Sequence, residues 1–185
     1  MSTSIDENFL RITTVLSPFS GLDKVDPEIL AKAARRGNIV HSICDAMIES
    51  IGYDDLGVEG YIGSFKHWFP GKEFIDKPKR WYCHDLMITG ECDALYKNET
   101  GLTLVDFKTP VKASKTWFLQ ASAYHYLGSK NALNITEIEF VRLKKDGKPP
   151  QIYKYEPKFE EFRKCLDVYR MFFENREYEE TLDYL

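Results

Sequence analysis

Two strand-like stretches, Ile88 to Tyr96 and Leu102 to Lys108, flank the quartet Asn98-Glu99-Thr100-Gly101, and this arrangement constrains the fold more than anything else in the chain. Their β-branched, aromatic and aliphatic residues favour extended backbone, and the quartet supplies turn-forming side chains. A hairpin centred between Glu99 and Thr100 sets Asp93 opposite Asp106 and Glu91 opposite Lys108. Because side chains alternate along a strand, these four would project to one face and Cys92, Ala94, Val105 and Phe107 to the other. Carboxylates directly across a ladder have Cβ atoms about 5 Å apart and repel each other, a cost that a divalent cation turns into attraction. Oxygen ligation of that kind suits Mg2+ or Mn2+ rather than zinc. The competing reading is an exposed hairpin with solvated charges and a weak Glu91–Lys108 surface pair. The apolar run Leu102 to Val105 leading into Asp106 favours a covered sheet, where unpaired acids are costly.

Around this hairpin the sequence predicts helices and further strands. A helix from Pro27 to about Ile51 has Asp26 as N-cap and proline at its first position, and Gly52 marks its end. Leu30, Gly37, His41, Cys44 and Ile48 recur at helical spacing, so the His41 ring lies on or beside the buried stripe and needs a polar partner. Tyr61, Phe65, Trp68 and Phe69 suit a shorter helix, and Lys79 to Leu86 reads as extended. A long helix from Ala113 to Leu127, stopped by Gly128, carries Trp117, Gln120, Tyr124 and Leu127 on one face. Ile135 to Leu143 and Gln151 to Tyr155 read as two more strands, and Phe159, Phe162, Leu166, Tyr169 and Phe173 mark a final helix before a frayed acidic tail beyond Arg176. This order implies an α/β fold, a sheet covered by helices on its faces.

At 185 residues the chain fits one domain with a core that needs no disulfide or structural metal. Its apolar runs are too short to span a bilayer, and Met1 to Leu10 has neither a secretory h-region nor an arginine-rich import pattern, so a cytoplasmic location is expected. Cys44, Cys83, Cys92 and Cys165 form no C-x-x-C pair and are expected to be ordinary reduced thiols. A net charge of −4 argues mildly against nucleic acid. A site that spends carboxylates on cations offsets that argument, provided a local basic surface faces the substrate.

The series Gly37-x-x-x-His41, Gly90-Glu91-Cys92-Asp93, Asp106-Phe107-Lys108 and Gln120-x-x-x-Tyr124 resembles the RecB-like branch of the PD-(D/E)XK nucleases, whose four motifs occur here in order over Gly37 to Tyr124. The resemblance implies a restriction-endonuclease-like fold, a mixed central sheet flanked by helices on both faces, and one nuclease domain over residues 1–185. It implies a metal-dependent deoxyribonuclease, exonuclease-like, working in recombination, repair or viral DNA processing. The Mg2+ or Mn2+ ion would be held by Asp93, Asp106, the backbone carbonyl of Phe107 and His41. Such an ion makes hydroxide available near neutral pH and neutralises charge on the phosphate. Lysine in water has a pKa of about 10.4 and is a poor base at pH 7, so a cationic role is favoured for Lys108. Gln120 would orient Lys108 or touch the substrate backbone, with Tyr124 packed beside it. Glu91 departs from the family pattern, which more often has a small or hydroxyl residue there.

Some relatives hold an iron–sulfur cluster on one early and three late cysteines; only Cys165 lies late here, so no cluster is expected. No phosphate-binding Gly-x-x-x-x-Gly-Lys-Ser/Thr stretch occurs, so no nucleotide cofactor is expected and any helicase or recombination partner would be a separate chain. Lys112 and Lys115, and Lys144, Lys145 and Lys148 in a later turn, are candidates for contacts to DNA phosphates. Trp68, Trp81 and Trp117 are either core residues or platforms for unpaired bases. From a different class, the alternative is a nuclease fold without chemistry, serving as a DNA-binding or assembly module.

Overall fold

A computed structural model describes residues 9–54, 56–76 and 80–174. In chain order the elements are β1 (Leu10–Arg11), α1 (Ile12–Leu16), α2 (Pro27–Ile48), α3 (Glu59–Trp68), β2 (Trp81–Cys83), β3 (Ile88–Gly90), β4 (Ala94–Lys97), β5 (Leu102–Lys108), α4 (Trp117–Lys130), β6 (Ile135–Arg142), β7 (Gln151–Lys154) and α5 (Phe159–Tyr169). A π-helical turn, Arg170–Glu174, follows α5. Lys79, the segment Met1 to Asn8 and the tail beyond Arg176 lie outside the described residues.

Two mixed sheets form rather than the single central sheet expected. The larger has strand order β4-β5-β6-β7, and the smaller β1-β3-β2. Within the larger sheet β5 and β6 run parallel, while β4 and β7 are antiparallel edges. Its two faces feed two cores. Leu95, Leu104 and Phe140 pack with α1, α4 and α5, whereas Ala94, Val105, Phe107 and Val141 pack with α2 and α3. The result is a mixed α/β architecture with helices on both sides of a sheet.

The local chemistry explains these elements. Asp26 caps α2 by accepting from the amides of Glu28 at 2.8 Å and Ile29 at 3.2 Å. In the β4–β5 turn the Asn98 carboxamide oxygen accepts from the amides of Thr100 at 2.9 Å and Gly101 at 2.8 Å. Gly101 is required there, because a Cβ would lie 2.6 Å from the carbonyl of Asn134. The resulting ladder pairs Ala94 with Val105 and Lys97 with Leu102, the register read from the sequence.

Several boundaries differ from those expected, each for a physical reason. The chain from Ile88 to Tyr96 is broken at residues 91–93, with β3 in the small sheet and β4 in the large one. Cys92 therefore lies in the α4-side core, while Ala94 lies on the opposite face of the large sheet with Val105 and Phe107. Helix α2 stops at Ile48, before Gly52, with Ser50 in the left-handed region at φ 58°. Helix α4 begins at Trp117 rather than Ala113 and runs through Gly128. A Cβ on Gly128 would sit 2.2 Å from Ile135 Cδ1, so this glycine serves close packing and not termination. Asn131 ends the helix, its side-chain amide donating to the carbonyl of Leu127 at 2.7 Å. Helix α5 is shorter than expected, and Phe173 is exposed.

Candidate functional site

The sequence-nominated residues meet at the C-terminal end of β5. Asp106 and Lys108 project from one face of that strand toward α4, and Asp93 precedes β4 beside it. The last ladder pair is Ala94 with Val105, and beyond it the Asp93 amide donates to the carbonyl of Val105 at 3.0 Å. The Asp93 carboxylate then accepts from the amide of Phe107 at 2.5 Å through Oδ2 and lies 3.0 Å from His41 Nδ1 through Oδ1. The acid thus sits beside Asp106 across the strand end, as the hairpin predicts, with its side chain folded back over the backbone of β5.

Lys108 Nζ lies 2.6 Å from Asp106 Oδ2 and donates to the Gln120 carbonyl oxygen at 2.9 Å. The Gln120 amide donates to Tyr124 Oη at 2.9 Å and reaches Asp106 Oδ1 at 3.5 Å. One turn of α4 separates Gln120 from Tyr124, which is why the i, i+4 pair can act as one polar unit inside an apolar face. The expected Glu91–Lys108 pairing gives way to a Glu91–Arg80 ion pair at 3.8 Å, because residues 91–93 leave the ladder. Tyr124 is only 4% exposed and supports Gln120 from within the core.

The electrostatics separate the two acids. Burial opposes ionisation of Asp93, but the neighbouring His41 charge and hydrogen bond, the Phe107 amide and Lys108 outweigh it and hold the carboxyl below the usual carboxylate range. For Asp106 burial prevails over the nearby Lys108 cation, and with repulsion from Asp93 the carboxyl is pushed up to about 6. Burial works against the His41 cation, yet the Asp93 carboxylate and its hydrogen bond raise the ring to about 9. The raised His41 value means that this ion pair adds its full stability from the ordinary carboxylate range up to about pH 6.5, loses it as pH rises through about 9, and loses it again in acid where Asp93 takes up a proton. By NMR the His41 ring is accordingly expected to titrate well above an ordinary histidine, and to fall to or below the ordinary value in Asp93→Asn. An unchanged midpoint in that variant would mean that the pair does not form in solution.

The donor set has the chemistry of a divalent-cation site without yet its geometry. Asp106 Oδ2 is buried, and its close neighbour is the Lys108 ammonium at 2.6 Å, placed off the direction of a well-formed hydrogen bond. A buried carboxylate oxygen without a directed donor next to a second carboxylate is chemistry that a hard cation completes. His41, Asp93 and Asp106 are not yet a cage: among the described residues no three His, Cys, Asp or Glu side chains are arranged to hold a metal. Binding there competes with the His41–Asp93 and Lys108–Asp106 pairs.

Other nominated residues separate cleanly. Lys112 and Lys115 are exposed on the loop between β5 and α4, not in the helix. The turn holding Lys144, Lys145 and Lys148 packs on α3: the amide of Lys144 donates to Ser64 Oγ at 3.0 Å, and Lys148 pairs with Asp146 at 3.0 Å. Trp68, Trp81 and Trp117 are all core residues, which removes them as base-stacking platforms. Cys44, Cys83, Cys92 and Cys165 are in no disulfide. Two neighbours escaped the sequence reading. A cleft of about 660 Å3 opens beside Asp93, lined by Asp45, Glu49, Asp76 and Glu91 with Arg80. Arg142 stands next to Lys108 in the parallel ladder, a placement that local spacing cannot reveal.

No helix among the described residues is long and apolar enough to cross a membrane. No protein-family model matches the chain, and no curated protein matches it. Its structure is similar to the crystal structure of SSO0001 over 95% of this chain and 81% of that one, with a TM-score of 0.50 and 14% sequence identity. At that identity the likeness shows fold alone, and what it supports is the mixed α/β architecture.

Proposed function

We propose that this chain is a metal-dependent deoxyribonuclease of the PD-(D/E)XK type, hydrolysing DNA phosphodiesters as an exonuclease. The observation that carries the reading is the joining of Asp93, Asp106, Lys108 and Gln120 at one strand end, with an acid oxygen left without a directed donor. A buried acid and a half-buried one beside a lysine destabilise a protein that has no use for them.

Asp93 and Asp106 would hold Mg2+ or Mn2+, with the Phe107 carbonyl as a further donor and His41 as another once the ion has displaced its proton and its pairing with Asp93. Once bound, the ion supplies charge neutralisation at the phosphate and makes water more acidic. The protein's own groups do the rest. Lys108 presents a fixed ammonium to the anionic phosphate and to charge that grows as the leaving oxygen departs. Gln120 accepts from that ammonium and so fixes its direction, while Tyr124 fixes Gln120. The His41–Asp93 bond and the Phe107 amide keep the first carboxylate ionised and aimed.

Tyr124→Phe is expected to keep the fold and lower kcat by about ten-fold with little change in KM, because it loosens Lys108 only through Gln120. A matched rise in KM alone would place Tyr124 in substrate binding instead. The reading itself is tested with end-labelled linear and circular DNA, single- and double-stranded, in Mg2+, Mn2+ or EDTA. Metal-dependent loss of linear DNA only would support the exonuclease; cutting of circles would make it an endonuclease. Folded protein that cuts none of these would favour the binding-module alternative.

A further inference from the structure

Among the described residues four buried side-chain polar atoms lack a hydrogen-bond partner, and three of them are Asp106 Oδ2, Arg36 Nε and Arg142 Nε. The first belongs to the acid pair. The other two are guanidinium Nε atoms, and among the described residues neither arginine forms an ion pair with a carboxylate. The Nε atoms themselves are closed off, but both arginines are only half-buried, so the rest of each guanidinium is what an anion from outside meets.

Arg142 is the last residue of β6 and the direct ladder neighbour of Lys108. Alternation puts its side chain on the same face as Phe140, whose ring lies 4.9 Å from Lys108 Nζ. Like charges side by side in a ladder repel. Among the described residues Arg142 pairs with no carboxylate; its one hydrogen bond runs from Nη2 to Gln151 Oε1 at 2.9 Å, which holds the guanidinium in place and leaves its charge uncompensated. Arg36 approaches from the opposite face of the sheet. It precedes Gly37 on α2, and a Cβ on Gly37 would touch Thr109 Oγ1 at 3.8 Å, so this part of the helix lies against the end of β5. The Arg36 guanidinium carbon sits 5.7 Å over the Tyr61 ring, a stacking that orients the group without neutralising it.

We infer that Arg142 and Arg36 are phosphate-binding residues that grip the nucleic-acid backbone on either side of the cleaved phosphodiester, an inference that rests on the nuclease reading above. The charge layout sets the path. The cleft on the Asp93 side carries Asp45, Glu49, Asp76 and Glu91 against the single Arg80 and repels phosphate. The ends of β5 and β6 carry Lys108 and Arg142, with the exposed Lys112 and Lys115 on the loop that follows β5. Guanidinium suits this task because its planar fork can take two phosphate oxygens at once. Each arginine thereby acts on binding of the strand, with Lys108 left to the reacting phosphate.

The test is binding of a short labelled oligonucleotide, single-stranded and as a duplex, in Ca2+ over a range of salt concentrations. The proteins are wild type, Arg142→Gln, Arg36→Gln, the double variant, Arg142→Lys, and Lys164→Gln on α5 as a control. Loss of one phosphate contact weakens binding about ten-fold and lowers the slope of log affinity against log salt by about 0.7 to 0.9. Both effects are expected in each Gln variant and are roughly additive in the double variant. Arg142→Lys should keep most of the slope and lose part of the affinity, and Lys164→Gln should change neither. A merely structural role for Arg142 would lower the melting temperature and leave the slope alone. An unchanged slope in both folded Gln variants, with wild-type binding intact, overturns the inference and spares the nuclease. Wild-type protein that neither binds nor cuts nucleic acid overturns the nuclease reading, and this inference with it.

Discussion

Alanine at Asp106 or Lys108 is expected to lower metal-dependent DNA cleavage by at least about a thousand-fold, the scale of removing a group that acts on transition-state charge. The two variants differ in what they do to the fold. Lys108→Ala leaves Asp106, 4% exposed, beside Asp93 with its nearest cation gone. Breaking a buried ion pair from one side costs about 3–5 kcal/mol, so the metal-free variant should melt well below wild type. Mn2+ should restore more stability to Lys108→Ala than it adds to wild type, since it replaces the missing cation. Asp106→Ala should lose the Mn2+ effect altogether. The sign with pH follows from Asp106: its folded value of about 6 lies above the ordinary one, so its contribution to metal-free stability is full only below about pH 4 and is lost as pH rises through 6. A cation binds the ionised carboxylate, so the Mn2+-induced rise in melting temperature should grow between about pH 5 and pH 7.5. Thermal melts at both pH values with and without Mn2+ read all of this. A Lys108→Ala variant that cuts DNA at the wild-type rate would sink the assigned role.

Phe107→Ala is expected to cost about 3–5 kcal/mol, the usual range for deleting a fully buried aromatic ring. The ring meets Phe65 at 5.3 Å and Trp68 at 5.4 Å, both edge-on, and His41 at 6.3 Å. For a chain of this length that loss lowers Tm by roughly 6–20 °C. It should reach the site as well, because the edge of this ring limits where His41 can stand, while the Phe107 amide that holds Asp93 is backbone and survives the change. Denaturant melts should show a lower midpoint with an unchanged slope, and residual cleavage at low temperature should keep its metal dependence. An unfolding free energy within about 1 kcal/mol of wild type would mean that this core repacks far more easily than close-packed interiors do.

Much of the site was legible in the sequence because its determinants are local. Asn98 and Gly101 fix the turn, the turn fixes the β4–β5 register, and the register brings Asp93 to the end of β5 beside Asp106 and Lys108. Helical spacing likewise put Gln120 and Tyr124 on one buried face and gave the His41 ring a need for a polar partner. By itself, then, the sequence determined the alternation of helices and strands, the hairpin and the acid–lysine constellation, since each depends on periodicity or on contacts a few residues apart. Tertiary structure alone decided the rest. The break at residues 91–93 arises because Cys92 is drawn into one core and Ala94 into the other, and it sends Glu91 to Arg80 in place of Lys108. The parallel pairing of β5 with β6, which puts Arg142 beside Lys108, depends on how the α4 crossover lays one strand against another. Partners so distant in sequence are chosen by packing of whole faces, for which no local spacing carries a signal.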